Sequence, residues 1–184
     1  VPTSLLNNWQ REIERFAPDL RSTIYHGSQR HLPPTEAFAV LLTTYGLVRR
    51  EEKKLAARPW AILALDEAQQ IKNPGAQQSR AVKKIKAPVK IALSGTPVEN
   101  SLLDYWSLID FALPKFLGSR TYFNQAFARP IQQDHDRATA NRFRKLTAPF
   151  VLRRLKTDKS IINDLPDKVV QTEYCALSPE QTAL

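Results

Sequence analysis

The sequence predicts an α/β fold: a parallel sheet flanked by helices, with a helical insertion or protrusion toward the C-terminal half. Three observations carry this. Short strand-like runs recur at residues 21–26, 38–42, 60–65 and 89–93. Helical patterns alternate with them, and such alternation argues for parallel pairing with crossover helices. From Asn100 onward the strand signals give way to three successive helical patterns.

Each element has a local reason. Thr3 or Ser4 can cap a helix running to about residue 16, because Leu5, Leu6, Trp9, Ile13 and Phe16 recur at helical spacing. Pro18 ends it. A short strand follows over residues 21–26, then a polar, proline-rich turn over 27–34, then an apolar strand over 38–42 that closes in Thr43-Thr44-Tyr45. Residues 47–57, of mixed charge, read as one helix. The run 60–65 is a buried strand, and Lys72-Asn73-Pro74-Gly75 is a turn. A helix over 77–86 and a buried strand over 89–93 complete the α/β part. Helices are expected over 102–111, 121–128 and 137–146, separated by Pro114, Gly118 and Pro130. A basic segment, 151–159, leads to Leu165-Pro166 and a β-branched pair at Val169-Val170.

Composition narrows the class. With 184 residues and 42% hydrophobic content, one domain with a subdomain can bury a sizeable core. No window approaches the ~20 apolar residues of a membrane span. No leader is visible, Met is absent, and the opening Val1-Pro2 reads as the middle of a longer pattern, so a piece of a larger protein is expected. The single cysteine, Cys175, excludes an internal disulfide and a multi-cysteine zinc site, and it fits a reducing cytoplasm. His26, His31 and His135 lack metal-ligand spacing. Lys and Arg total 27 against 18 Asp and Glu, a net charge of +9. That excess suits a polyanionic partner such as nucleic acid, and it equally suits an ordinary basic surface.

The chemistry concentrates at the ends of the strands. The run 61–65 feeds Asp66-Glu67-Ala68-Gln69 and so delivers two carboxylates to a sheet's carboxyl edge, where open α/β sheets place ligands. In a nucleoside triphosphatase the first carboxylate holds Mg²⁺ and the second orients or deprotonates the attacking water. The structural alternative for an Asp-Glu pair is a helix start. Ser94-Gly95-Thr96-Pro97 ends the next strand. It reads as a capped turn, or as a sensor loop whose hydroxyls reach across to the acidic residues. Thr43-Thr44-Tyr45 reads as a plain cap, or as a phosphate contact at a helix start. The phosphate-cradling pattern Gly-x-x-x-x-Gly-Lys-Ser/Thr occurs at none of the five glycines, Gly27, Gly46, Gly75, Gly95 and Gly118.

Taken in order, these segments resemble the first RecA-like lobe of a Swi/Snf-type ATPase of helicase superfamily two. Residues 1–9 resemble that family's motif Ia and Leu42-Thr43-Thr44-Tyr45 its motif Ib. Residues 66–69 with Ile71-Lys72-Asn73 resemble motif II, and residues 93–100 resemble motif III. Residues 103–108 and 150–156 also fit the family's pattern. The resemblance implies a partial RecA-like lobe over 1–111, a helical protrusion over 112–150, and a linker over 151–184 toward a second lobe.

The roles it implies follow residue by residue. Asp66 would coordinate Mg²⁺ through water, Glu67 would position the hydrolytic water, and Gln69 would join Ser94, Gly95 and Thr96 in coupling hydrolysis to DNA. Ser4, Asn8, Thr43, Thr44, Tyr45, Lys72 and Asn73 would lie along the DNA backbone, with Trp9 either near it or serving as a core anchor of the first helix. Arg153, Arg154 and Lys156 would belong to the linker. ATP and Mg²⁺ are the implied cofactors, neither expected to bind tightly without the phosphate loop. Double-stranded DNA is the implied partner, with a nucleoprotein complex or a polymerase as further candidates and no membrane. The implied location is cytoplasmic, and nucleoid-associated in a prokaryote. The rivals are an RNA helicase lobe of the same superfamily and a non-catalytic nucleic-acid or partner-binding module.

Overall fold

The computed structural model describes residues 1–154 and 171–173. The chain divides into two compact units, Val1–Asn141 and Arg142–Leu184. The family resemblance implies boundaries after residues 111 and 150, and the first compact unit runs past the first of them.

The first unit opens with a 3-10 turn, Thr3–Leu5, that leads into α1, Leu6–Phe16. No side-chain cap from Thr3 or Ser4 forms; the tight turn itself takes up the first free N–H groups. Of the apolar stripe on α1 only Leu6 is buried, and Phe16 is 70% exposed. β1, Ser22–Tyr25, pairs in parallel with β2, Val40–Thr43, with Tyr25 opposite Thr43. β3, Ile62–Leu65, pairs in parallel with β4, Val89–Ala92, with Leu65 opposite Ala92. Among the described residues no ladder joins the two pairs.

The helix expected over 47–57 is two helices, α2 (Tyr45–Arg50) and α3 (Glu52–Ala56), that meet at Glu51. The cause lies in the side chain of Glu51. It accepts a short hydrogen bond from the Tyr25 hydroxyl and a two-nitrogen clasp from Arg30, at 2.8 Å from Nε and 2.5 Å from a terminal nitrogen. Lys54 adds an ion pair at 3.3 Å. Satisfying that half-buried carboxylate takes Glu51 out of helical geometry, at ψ +28°. The Tyr25 bond, then Arg30 and Lys54, hold its pKa down to about 2.

α4, Gln77–Lys84, makes the crossover from β3 to β4, and α5, Leu102–Ala112, packs beside β4. The core gathers Tyr25, Leu47, Leu55, Ile71, Val82 and Phe111, all close to fully buried. The sequence reads β3 and β4 as buried strands, but the structure covers one face only. Leu63, Leu65 and Ala92 face the core, whereas Ile62, Val89 and Ile91 are 56%, 48% and 41% exposed. The strand alternation is therefore real, and among the described residues only one face of it is covered.

Downstream, α5 starts with a full capping box: the Ser101 hydroxyl accepts from the helix backbone and Asp104 reaches back. Pro130 does not separate helices as expected. α6 (Arg120–Phe123), a π-helical turn (Asn124–Ala128) and α7 (Arg129–Gln132) run on continuously. The wide turn ends just before the proline, so its missing N–H falls in the first turn of α7, where it costs no bond. Gly118 does act as a break. Its φ is +71°, and a Cβ there would meet the Tyr122 ring at 2.8 Å.

α8, Arg137–Thr147, runs across the division between the units. In the second unit the Thr147 hydroxyl donates to the carbonyl of Phe143 at 3.1 Å, and a 3-10 turn, Ala148–Phe150, follows. Arg153 and Arg154 are exposed in irregular backbone. Lys156, Leu165-Pro166, Val169-Val170 and Cys175 lie outside the described residues. Among the described residues no helix is long and apolar enough to cross a membrane.

Candidate active site

The acidic pair sits where β3 ends. Leu65 is still in the ladder, and the bonds Leu93 N–H to Leu65 C=O and Ala68 N–H to Leu93 C=O, both 2.8 Å, carry the β3–β4 pairing just past it. Between these bonds the chain must turn. Glu67 makes that turn in the left-handed region, at φ +50° and ψ +51°. A non-glycine residue there is strained by roughly 1–2 kcal/mol. Neighbouring side chains on a strand point to opposite faces; the left-handed residue breaks that alternation immediately after Asp66. The 3-10 turn Ala68–Ile71 follows and is pinned from below: the buried Ser79 and Ser107 hydroxyls both donate to the Ile71 carbonyl, at 3.1 and 2.9 Å.

Each carboxylate is held by neutral donors. Asp66 Oδ1 accepts from the Glu67 backbone N–H at 2.9 Å, and Oδ2 accepts from the Trp9 indole at 2.7 Å. The Tyr45 hydroxyl donates to the Asp66 backbone carbonyl at 2.7 Å. Burial, then the charges of Asp66 and Glu67, push the Tyr45 pKa far above its ordinary value, so it remains a donor. Glu67 Oε2 accepts from Gln69 Nε2 at 2.5 Å, and Gln69 Oε1 accepts from Ser94 Oγ at 2.8 Å. An ionised carboxylate only accepts, so the amide orientation is fixed: nitrogen to Glu67, oxygen to Ser94. A side-chain relay thus links the β3 end to the β4 end. Among the described residues neither Asp66 nor Glu67 forms an ion pair with Lys or Arg.

Beyond Ser94 the loop is tied outward. The Thr96 N–H donates to Ser94 Oγ at 3.2 Å, and the Thr96 hydroxyl donates to Glu99 at 3.4 Å. Glu99 also forms a close ion pair with Lys72. That bond raises the Lys72 pKa. Gly95 is exposed, and its position has open space around it.

The residues expected along DNA divide into two groups. Ser4, Asn8 and Asn73 are exposed. Lys72 is partly exposed but engaged by Glu99, a partner the sequence did not reveal. Thr44 and Tyr45 form the second group, both buried at 4% exposed. The Thr44 hydroxyl caps α2 by accepting from Leu47 N–H at 3.3 Å, which is the plain-cap reading, and Tyr45 points at Asp66. Thr43 donates its hydroxyl to the Tyr25 carbonyl at 3.0 Å, and its own carbonyl accepts from the Val1 α-amino group at 2.9 Å. The Trp9 ring is half-buried and its N–H is committed to Asp66, so it is not a plain core anchor. That contact spans 57 residues of sequence, and no local pattern could announce it.

The donor set suits a hard cation. Among the described residues no cluster of three or more His, Cys, Asp or Glu could cage a metal. Two adjacent carboxylates suit Mg²⁺, which binds through one or two carboxylates, retained waters and substrate phosphates.

Comparison with known proteins bears on the family of the chain. The SNF2-related domain matches residues 1–184. The chain is 43% identical over 191 residues to YwqA of Bacillus subtilis, named for an ATP-dependent helicase/translocase, covering all of this chain and 20% of that protein. It is 35% identical to the TATA-binding protein-associated factor mot1 of Schizosaccharomyces pombe, covering all of this chain and 10% of that protein. The SWI2/SNF2 ATPase core of Sulfolobus solfataricus in complex with double-stranded DNA superposes with a TM-score of 0.80 at 43% identity, over 99% of this chain and 38% of that one.

Proposed function

The chain belongs to the SNF2-related domain family, and on that premise we propose that it supplies the water-activating half of an ATP-hydrolysing motor that moves along double-stranded DNA. The observation that carries the reading is the Ser94–Gln69–Glu67 relay, which joins two strand ends at a carboxylate pair that forms no ion pair with Lys or Arg among the described residues. Asp66 would hold Mg²⁺, and Glu67 would orient the attacking water. The chemistry that Mg²⁺ would supply there is neutralisation of charge on the triphosphate oxygens. Gln69, held by Ser94, keeps the Glu67 carboxylate in one rotamer, and the loop 94–96 makes that rotamer sensitive to what lies on the exposed surface. Ser4, Asn8 and Asn73 offer exposed side chains for phosphates. The 184 residues contain no Gly-x-x-x-x-Gly-Lys-Ser/Thr pattern, so by themselves they should turn over ATP barely, if at all.

The test is ATPase activity of the full-length polypeptide containing residues 1–184, with and without duplex DNA or RNA. Duplex DNA should stimulate and RNA should not; the reverse order would favour an RNA helicase lobe. Glu67→Gln should retain ATP binding and lose turnover, and preserved steady-state hydrolysis in that variant would overturn the assignment. A non-catalytic binding module would keep its DNA affinity in Asp66→Ala and show no ATPase. Cytoplasmic residence, nucleoid-associated in a prokaryote, is part of the same proposal and is checked by imaging a tagged full-length protein.

A further inference from the structure

We infer that Trp9 is a positioning residue of the hydrolytic site, whose indole N–H sets the orientation in which Asp66 presents its carboxylate to Mg²⁺. The inference rests on the reading of Asp66 as the metal-side carboxylate and adds a residue to it.

Three features carry it. The first is geometry. An indole N–H is a donor only, and at 2.7 Å from Asp66 Oδ2 it lies at the short end for a bond to a charged acceptor. Because Glu67 N–H holds Oδ1 at 2.9 Å, both oxygens are fixed and the carboxylate plane is set. The lone pairs left over then point in defined directions. The second is charge. A lysine or arginine at Trp9 would also orient the carboxylate, but it would cancel the charge that a divalent cation needs; a neutral indole orients without competing. The third is the contrast with the other two tryptophans. The indoles of Trp60 and Trp106 donate to backbone carbonyls, of Leu55 at 2.7 Å and Gly118 at 3.2 Å, and so tie down chain. Trp9 alone of the three donates to an ionisable side chain. Tyr45, on the Asp66 carbonyl, secures the backbone beneath the same residue.

Outer partners that orient a metal-binding side chain typically contribute about 10–100-fold in metal affinity or activity. The experiment uses the full-length polypeptide and two replacements. Trp9→Phe keeps an aromatic ring and removes the donor. Benzothienylalanine at position 9 keeps the shape of tryptophan with sulfur in place of N–H, which preserves folding if the phenylalanine variant loses it. The readouts are the Mg²⁺ concentration for half-maximal ATPase and, independently of turnover, the Mg²⁺ concentration for half-maximal binding of a fluorescent ADP analogue. Both should rise about 10-fold in either variant, while nucleotide affinity at saturating Mg²⁺ stays near its original value. Unchanged Mg²⁺ dependence in the folded benzothienylalanine protein would overturn the inference, since a purely structural indole would behave in that way. Asp66→Asn separates the two levels. If it keeps full ATPase, the reading of Asp66 itself fails. If it abolishes ATPase while the Trp9 replacements leave Mg²⁺ dependence untouched, only the role of Trp9 fails.

Discussion

Removing the Ser94 hydroxyl should matter only as long as Gln69 is present, and this gives a sharp test of the relay. In Ser94→Ala, Gln69 Oε1 loses its 2.8 Å donor while Gln69 Nε2 can still reach Glu67. A neutral hydrogen bond of this kind contributes about 0.5–1.5 kcal/mol. If all of it is expressed in the transition state, DNA-stimulated kcat falls by about 2- to 13-fold. Gln69→Ala removes a bond to a charged group, worth about 1.5–3 kcal/mol, or about 13- to 160-fold in kcat. Without Gln69 the Ser94 hydroxyl keeps only the Thr96 N–H of its own loop, at 3.2 Å, and no longer reaches the Glu67 side, so the rate of the double variant should fall close to that of Gln69→Ala. Residues that act through one another are non-additive, whereas independent ones add within a few tenths of a kcal/mol. The assay is steady-state ATPase of the four proteins at saturating duplex DNA and Mg²⁺. A full Ser94→Ala penalty in the Gln69→Ala background would show that Ser94 acts by another route, and the relay would be refuted.

Two further expectations concern folding. The Glu51 carboxylate is held at a pKa of about 2, below its ordinary 4.5, so its contribution to stability is complete above pH 4.5 and is lost as pH falls toward 2. Urea unfolding at pH 6, 5, 4 and 3 should show a decline that is shallower in Glu51→Gln; an identical decline in both proteins would remove Glu51 as its source. Gly118→Ala forces a side chain into φ +71° and against the Tyr122 ring. It should cost at least about 1 kcal/mol, and adding Tyr122→Ala should recover the steric part but not the backbone part, as read by thermal unfolding.

What the sequence could show was whatever is local. The strand before Asp66 was legible because an apolar run ended abruptly in charge, and the strand before Ser94 because another ended in Ser-Gly-Thr-Pro. Their pairing followed, since strands joined through a crossover helix lie parallel. The helix break at Glu51 was not legible. Helical spacing continues through residues 47–57, and only the Tyr25 hydroxyl and Arg30, brought in from β1 and the loop after it, pull Glu51 aside. Burial on one face of β3 and β4 was also hidden, because an apolar run looks the same with one covered face or two. At Thr44 the local reading as a cap prevailed over the functional one, and at Lys72 an ion pair spanning 27 residues intervened. Trp9 shows the limit most plainly: helical spacing placed it on an apolar stripe, while its N–H was bound for a carboxylate on another element.

Glu51 and the Asp66–Glu67 pair differ in one respect that separates structural from catalytic use. Glu51 is surrounded by Arg30 and Lys54, and its charge is spent inside the fold. The Asp66 carboxylate accepts two directed bonds and that of Glu67 one, and their side-chain donors are an indole, an amide and, at one remove, a hydroxyl. A cationic donor would be the stronger one in each position. Neutral donors give up that strength and keep the negative charge of the pair available to an incoming cation. The strained left-handed backbone at Glu67 makes the same concession in conformational energy, for it is what sets two adjacent carboxylates at one strand end. Replacing Gln69 with lysine would therefore be expected to strengthen the hold on Glu67, raise the folding stability and abolish turnover together. That combination is opposite in sign for stability and activity, and a mainly structural acidic pair would not produce it.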